Sequence, residues 1–248
     1  MRSRTKARLR TRYRVVKNTL VIDLGGFKRI LSAASQGGGF QSARYILNHQ
    51  VEAHPVSEAH ARSKRLTDPA RYMRRLAMML GVGEKPIGLM TAVPMKQLVI
   101  SRERFGDTWV ECFATVGVTN AVRAGEWPER EGKGKQASGA GTINLMLITN
   151  ACLSGAALVG AVQVVTESKT GVLRDHAVPS WTGESGATGT GTDVVVIACG
   201  LRGRGPWHRY SGTHTIIGAM IGRVVSDCVR QGLAREKQWR KSQEVRQQ

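Results

Sequence analysis

The 248-residue chain is 41% hydrophobic and 22% charged, a composition that can bury one sizeable core and excludes disordered and fibrous classes. Its formal net charge of +19 points first to a polyanionic partner, but the charge is concentrated at the ends. Residues 1–17 hold eight basic and no acidic side chains, and residues 229–248 hold six basic against two acidic. We therefore expect a basic N-terminal arm over 1–17, a single domain over 18–235 and a basic C-terminal tail over 236–248. Such arms bind polyanions nonspecifically by counterion release, so no specific nucleic-acid partner is expected. The four cysteines, Cys112, Cys152, Cys199 and Cys228, form no CxxC pair and fit a reducing cytoplasm. No apolar run approaches the roughly 20 residues of a membrane helix, and the short run before Gly25 is too brief for a signal core.

In chain order, segments 13–22 and 29–34 flank Gly25-Gly26 and read as two strands joined by a tight glycine turn. The segment 40–51 is ambiguous between strand and helix, and the polar stretch 54–68 reads as a surface excursion. Asp68 as cap and Pro69 at the first helical position predict a helix to about Leu80, ended by Gly81. Three apolar segments between 87 and 117 read as an antiparallel meander, and the charged, glycine-containing stretch 126–138 as an exposed loop. Segment 141–149 is a predicted strand. Ser154 caps a helix to about Leu173, with Leu153 and Leu158 as a hydrophobic staple. The apolar run 193–199 predicts a strand buried on both faces. In the last helix, about 213–235, Ile216, Ile217, Met220, Ile221, Val224, Val225, Cys228 and Val229 form a stripe that needs a sheet to cover it. The order of elements argues an α+β fold, a mixed and largely antiparallel sheet with helices packed on its faces.

The segment Thr188-Gly-Thr-Gly-Thr-Asp193 gathers three hydroxyls and a carboxylate ahead of the buried strand, where backbone N–H groups can converge on one ligand group. Dinucleotide and P-loop fingerprints follow a strand and open a helix, whereas this loop precedes a strand. If Thr213 is the cap, His214 lies in the first turn of the last helix. There the dipole disfavours protonation and a neutral imidazole can act as base near pH 7. His49, within Asn48-His49-Gln50, is the second candidate base. Asn120 and Arg123 follow a strand end, and Glu167 shares a helix face with Gln163. Neither a Ser-His-Asp arrangement, an HExxH motif nor a Cys/His metal cluster is legible.

These segments, with Gly37-Gly38-Gly39, Asn48-His-Gln-Val51, Val118-Thr-Asn-Ala-Val-Arg-Ala-Gly125, Gly141-Thr-Ile-Asn144, Thr166-Glu167, Thr188–Asp193 and Gly212-Thr-His-Thr215, resemble in order those of the adenosylcobinamide amidohydrolases of corrinoid salvage. The resemblance implies hydrolysis of the amide that joins the corrin f side chain to aminopropanol, giving adenosylcobyric acid. The corrinoid is then substrate, and no cofactor and no metal are expected. Amide hydrolysis needs an activated nucleophile, oxyanion donors and a proton for the departing amine. The expected base is His214 or His49, oriented by Asp193 or Glu167. Asn120 and the backbone of 190–192 serve the oxyanion, and a covalent route through a threonine of the same loop is the rival. Asn48, Gln50, Arg123, Thr142, Asn144, Thr188, Thr190 and Thr192 are the expected partners of the substrate's peripheral amides. A homo-oligomer is compatible with the sequence. The contrasting expectation is a corrinoid-binding or delivery protein that cleaves nothing.

Overall fold

The computed structural model describes residues 11–51, 68–83, 85–127, 141–183 and 186–247, with side chains to residue 242. Residues 1–10, most of the stretch 54–68 and 128–138 of the charged loop lie outside the described residues.

The opening hairpin forms earlier than the glycines suggest. Strand β1 (Arg12–Val16) turns through Lys17 and Asn18, both at positive φ (47° and 57°), into β2 (Thr19–Ser32). A two-residue turn of that kind matches the strand twist. Gly25 and Gly26 (φ 72° and 150°) instead form an irregularity inside β2, where the register with β3 (Gly39–Gln50) shifts between Asp23 and Lys28. Positive-φ glycine serves a bulge as well as a turn, and here it bends one long strand.

Helix α1 (Pro69–Met79) starts as expected, with the Asp68 carboxylate accepting from Arg71 N at 2.9 Å. The predicted meander is not formed. Strand β4 (Ile87–Thr91) pairs in parallel with β3 at one edge of the sheet. A single 3₁₀ turn (Met95–Gln97) follows, and β5 (Val99–Phe105) and β6 (Thr108–Val116) make a hairpin at the other edge. Then come β7 (Ala121–Val122), β8 (Ile143–Thr149), β9 (Cys152–Leu153), α2 (Gly155–Asp175), β10 (Gly189–Thr190), β11 (Val194–Cys199), β12 (Trp207–His208) and α3 (Ile216–Gln247). The main sheet has the order β4-β3-β2-β11-β8-β6-β5, with β1 paired to β2, and is mixed because β11 runs parallel to β8. The fold is α+β.

Alternation along the strands shows that the sheet folds over itself. One face of β6, β8 and β11 (Cys112, Ala114, Leu145, Leu147, Ile197) is covered by α2 and α3. The other face (Phe113, Met146, Ile148, Val196, Ala198) packs on Leu20, Ile22, Ile46 and Leu89. These come from β4 and from the halves of β2 and β3 beyond the bend. Val21 and Leu47 point the opposite way and meet Met73, Leu76 and Ala77 of α1. The layers therefore run helices, sheet, folded-back sheet, helix. At roughly 25 cal/mol per Å² the burial of these three interlayer cores is the dominant favourable contribution to folding. All four cysteines are buried and free. Among the described residues no helix is long and apolar enough to cross a membrane.

The last helix differs from its expected span at both ends. Its cap is Thr215, whose Oγ1 accepts from Gly218 N at 3.0 Å, so Thr213 and His214 precede the helix. It also continues through residue 236, and Glu236 is buried rather than part of a solvated tail.

Candidate active site

The inner rows of the folded sheet end in polar residues. Asn48 continues Ile46 on β3, Thr115 continues Phe113 on β6, and Asn144 precedes Met146 on β8. All three are fully buried. Asn48 donates to Thr115 Oγ1 (3.0 Å), and Asn144 donates to Asn48 Oδ1 and Met90 O (2.9 Å each). This network closes the interlayer core at one end of the sheet.

Directly outside it, the loop 188–193 is laced to the start of β8. Thr142 Oγ1 donates to Thr192 O (2.8 Å), and Ile143 N donates to Asp193 Oδ1 (3.0 Å). Asp193 also accepts from Thr190 N (3.1 Å), from Thr190 Oγ1 (2.5 Å) and from Lys169 Nζ of α2 (2.5 Å). Both side chains of the Lys169–Asp193 pair are about nine-tenths covered, at 10% and 13% exposure. A Cβ on Gly189 would stand 2.4 Å from Asp193 Oδ2 and 2.6 Å from Lys169 Nζ, so only glycine fits against this pair.

Strand β7 pairs with β10 and brings the 118–127 segment alongside. Asn120 Oδ1 is buried without a hydrogen-bond partner, 2.5 Å from where a Cβ on Gly141 would lie. The turn is held from behind by Glu236, which accepts from Val118 N (2.9 Å) and pairs with Arg240 (2.7 Å). Arg123 and Thr192 are exposed on the rim, and Thr188 Oγ1 accepts from Ala124 N (2.8 Å). Gln50 is engaged, its Oε1 accepting from Met95 N at 3.0 Å.

The candidate bases do not join this corner. His49 alternates with Asn48 and faces α1. Thr19 Oγ1 donates to Lys17 O (3.1 Å) and so accepts from His49 Nδ1 (2.8 Å), leaving Nε2 to accept from Tyr72 Oη (2.8 Å). Both nitrogens are occupied, and burial lowers the imidazole pKa below 6.5. His214 is exposed ahead of α3, beside Gly212 and Ser211, whose hydroxyl donates to Ala157 O in the first turn of α2. Helix α2 follows the far end of β8, so the length of that strand, about 20 Å, separates His214 from Asp193. Glu167 is exposed on α2. At 100° per residue it lies 200° around the helix from Lys169, which faces inward. Lys169 and Thr115 were missed in the sequence, although Lys169 falls on the apolar stripe of α2, four residues after Val165 and three before Val172. Among the described residues no three His, Cys, Asp or Glu side chains cluster to hold a metal ion.

The corner thus holds a largely covered carboxylate and hydroxyl, fixed by a buried ammonium and bordered by a polar floor. The family model of adenosylcobinamide amidohydrolases matches residues 3–241, and the chain belongs to that family. An adenosylcobinamide amidohydrolase of Methanosarcina mazei is 29% identical over 228 residues, covering 89% of this chain and 96% of that protein. An uncharacterized protein of Methanocaldococcus jannaschii is 29% identical over 233 residues, covering 88% of this chain and 86% of that one. Among solved structures, a protein of Pyrococcus horikoshii OT3 (11% identity, 87% and 77% coverage) and a Burkholderia β-aminopeptidase (9% identity, 95% and 81% coverage) each overlap with a TM-score of 0.40. Overlaps of that size decide neither fold nor chemistry.

Proposed function

We propose that this chain hydrolyses the aminopropanol amide of adenosylcobinamide to adenosylcobyric acid at the Asp193 corner. The observation that carries the reading is the 2.5 Å hydrogen bond from Thr190 Oγ1 to Asp193, a carboxylate already held by Lys169. A carboxylate accepting the proton of a hydroxyl is the arrangement of an activated nucleophile. Thr190 Oγ1 attacks the amide carbonyl as its proton passes to Asp193. The side-chain amide N–H of Asn120 stabilises the oxyanion. The C–N bond then breaks, and aminopropanol leaves with the proton that Asp193 had taken. Water, deprotonated by the same carboxylate, cleaves the threonyl ester and restores the hydroxyl. Asn48, Asn144 and Thr142 act as the floor of the site, while Arg123, Thr188 and Thr192 meet the substrate's peripheral amides.

A second hydroxyl is favoured by one contact. Thr142 adjoins Gly141, the residue packed against Asn120, and so lies next to the oxyanion donor. Incubating purified protein with adenosylcobinamide, quenching with acid and mapping the peptides by mass distinguishes the two, since the corrinoid acyl group remains on the attacking threonine. The expected result is equimolar adenosylcobyric acid and aminopropanol, with the adduct on Thr190. Recovery of bound but unchanged substrate would support the delivery protein instead.

A further inference from the structure

Two tryptophans stand on the rim of this corner. Trp127 is 88% exposed and Trp181 is 37% exposed, in a chain with only 5% aromatic residues. They belong to two turns that the site ties together. Trp181 N donates to Ala121 O (2.7 Å), and Ala121 is the partner of Thr190 in the β7–β10 pair. Glu126, next to Trp127, accepts from Arg123 N (2.8 Å) and, through its other oxygen, from Thr182 Oγ1 (3.4 Å), while Ser180 and Thr182 share a 2.6 Å hydrogen bond. These contacts hold the Glu126 carboxyl below its ordinary pKa, the Arg123 N–H being the largest cause. One ionised carboxylate therefore fixes the two indole-bearing turns against each other and against the candidate site. Single exposed aromatics are common on surfaces, whereas these two stand on turns tied to each other and to one polar corner. Indole faces stack on flat conjugated systems and contribute area with little loss of side-chain freedom.

We propose that Trp127 and Trp181 form the subsite that receives the flat conjugated macrocycle of the substrate, holding it while its amide arm reaches Thr190. This deepens the reading above and rests on it. The opposite end of the sheet supplies an internal control, since Trp207 and Tyr210 are also exposed there, at 57% and 58%.

Equilibrium dialysis against cobinamide, which is coloured and needs no turnover to be measured, reads the subsite directly. Trp127→Ala and Trp181→Ala are each expected to raise Kd about tenfold, or about 1.4 kcal/mol, with Trp→Phe closer to the parent and Trp207→Ala at the parent value. Unchanged binding by both rim variants, or weaker binding caused by Trp207→Ala alone, would overturn the subsite. If the parent protein neither bound nor hydrolysed the corrinoid, the functional reading itself would fall. Should either alanine variant not fold, the phenylalanine variants carry the same comparison through their order of Kd.

Discussion

The two ends of the folded sheet are built from similar residue types and differ in how they are connected. At the end where β8 begins, every polar group of the Asp193 carboxylate has a partner, and those partners come from α2, β8 and the 188–193 loop. At the end where β8 stops, His214, Arg202, Arg204 and Trp207 are exposed on a glycine-containing loop and the approach to α3. Polar groups that converge from several elements hold a geometry within a fraction of an ångström, whereas isolated exposed groups do not. That contrast, rather than the presence of a histidine, is the reason we propose the first end for the chemistry.

The comparison breaks most visibly at Asp193. Asp193→Ala leaves the Lys169 ammonium covered and unpaired, which costs about 3–5 kcal/mol of stability and should remove essentially all turnover. The double variant Asp193→Asn with Lys169→Met, which removes both charges, should recover much of the melting temperature and none of the activity. Thermal melting and product mass check the two halves separately. Next in size is Asn120→Ala, expected to lower kcat by about 10²–10³ with a small change in KM, as loss of one oxyanion donor does; steady-state kinetics on adenosylcobinamide would show it.

A smaller effect is expected from behind the site. Glu236→Ala releases Val118 N and with it the turn that carries Asn120, so kcat should fall about tenfold while Glu236→Gln, which keeps the acceptor, stays near the parent. The smallest concerns His49. Burial favours its neutral form, so the unfolded chain binds more protons and stability declines as pH drops below about 6.5, toward the depressed folded value. Urea unfolding at pH 7.5 and 5.5 should show this loss in the parent and a reduced loss in His49→Gln.

Much of the second half of the fold was legible in the sequence because its signals are local. Ser154 accepts from Ala157 N at 2.9 Å as its cap position predicts, and β11 is the apolar run before Gly200. The early errors share a cause. Gly25-Gly26 carries the same positive-φ signal for a bulge as for a turn, and the Lys17-Asn18 turn lacks glycine altogether. Thr213 and Thr215 are equally good caps by residue type, and only the hydrogen bond to Gly218 N chooses between them. At the site, the Thr188–Asp193 segment stood out by composition and Asn120 by its place after a strand end, but their convergence did not. The Asn48–Asn144 bond joins residues 96 apart and exists because the sheet folds over itself. Lys169 was concealed because a single charge on an apolar helix stripe reads as an imperfection of the stripe until Asp193 is seen opposite it. Glu236 was assigned to a charged tail for the same reason, since net charge does not show which member of a basic segment turns inward.

The central claim, that catalysis belongs to the Asp193 end and not to the His214 end, reduces to one paired measurement. Initial rates of adenosylcobyric acid formation from adenosylcobinamide, measured for folded Thr190→Ala and folded His214→Ala beside the parent, should fall by about 10³ or more for Thr190→Ala and stay within about threefold for His214→Ala. A His214→Ala variant slowed by two or more orders of magnitude, with Thr190→Ala still active, would place the chemistry at the other end of the sheet and contradict the account.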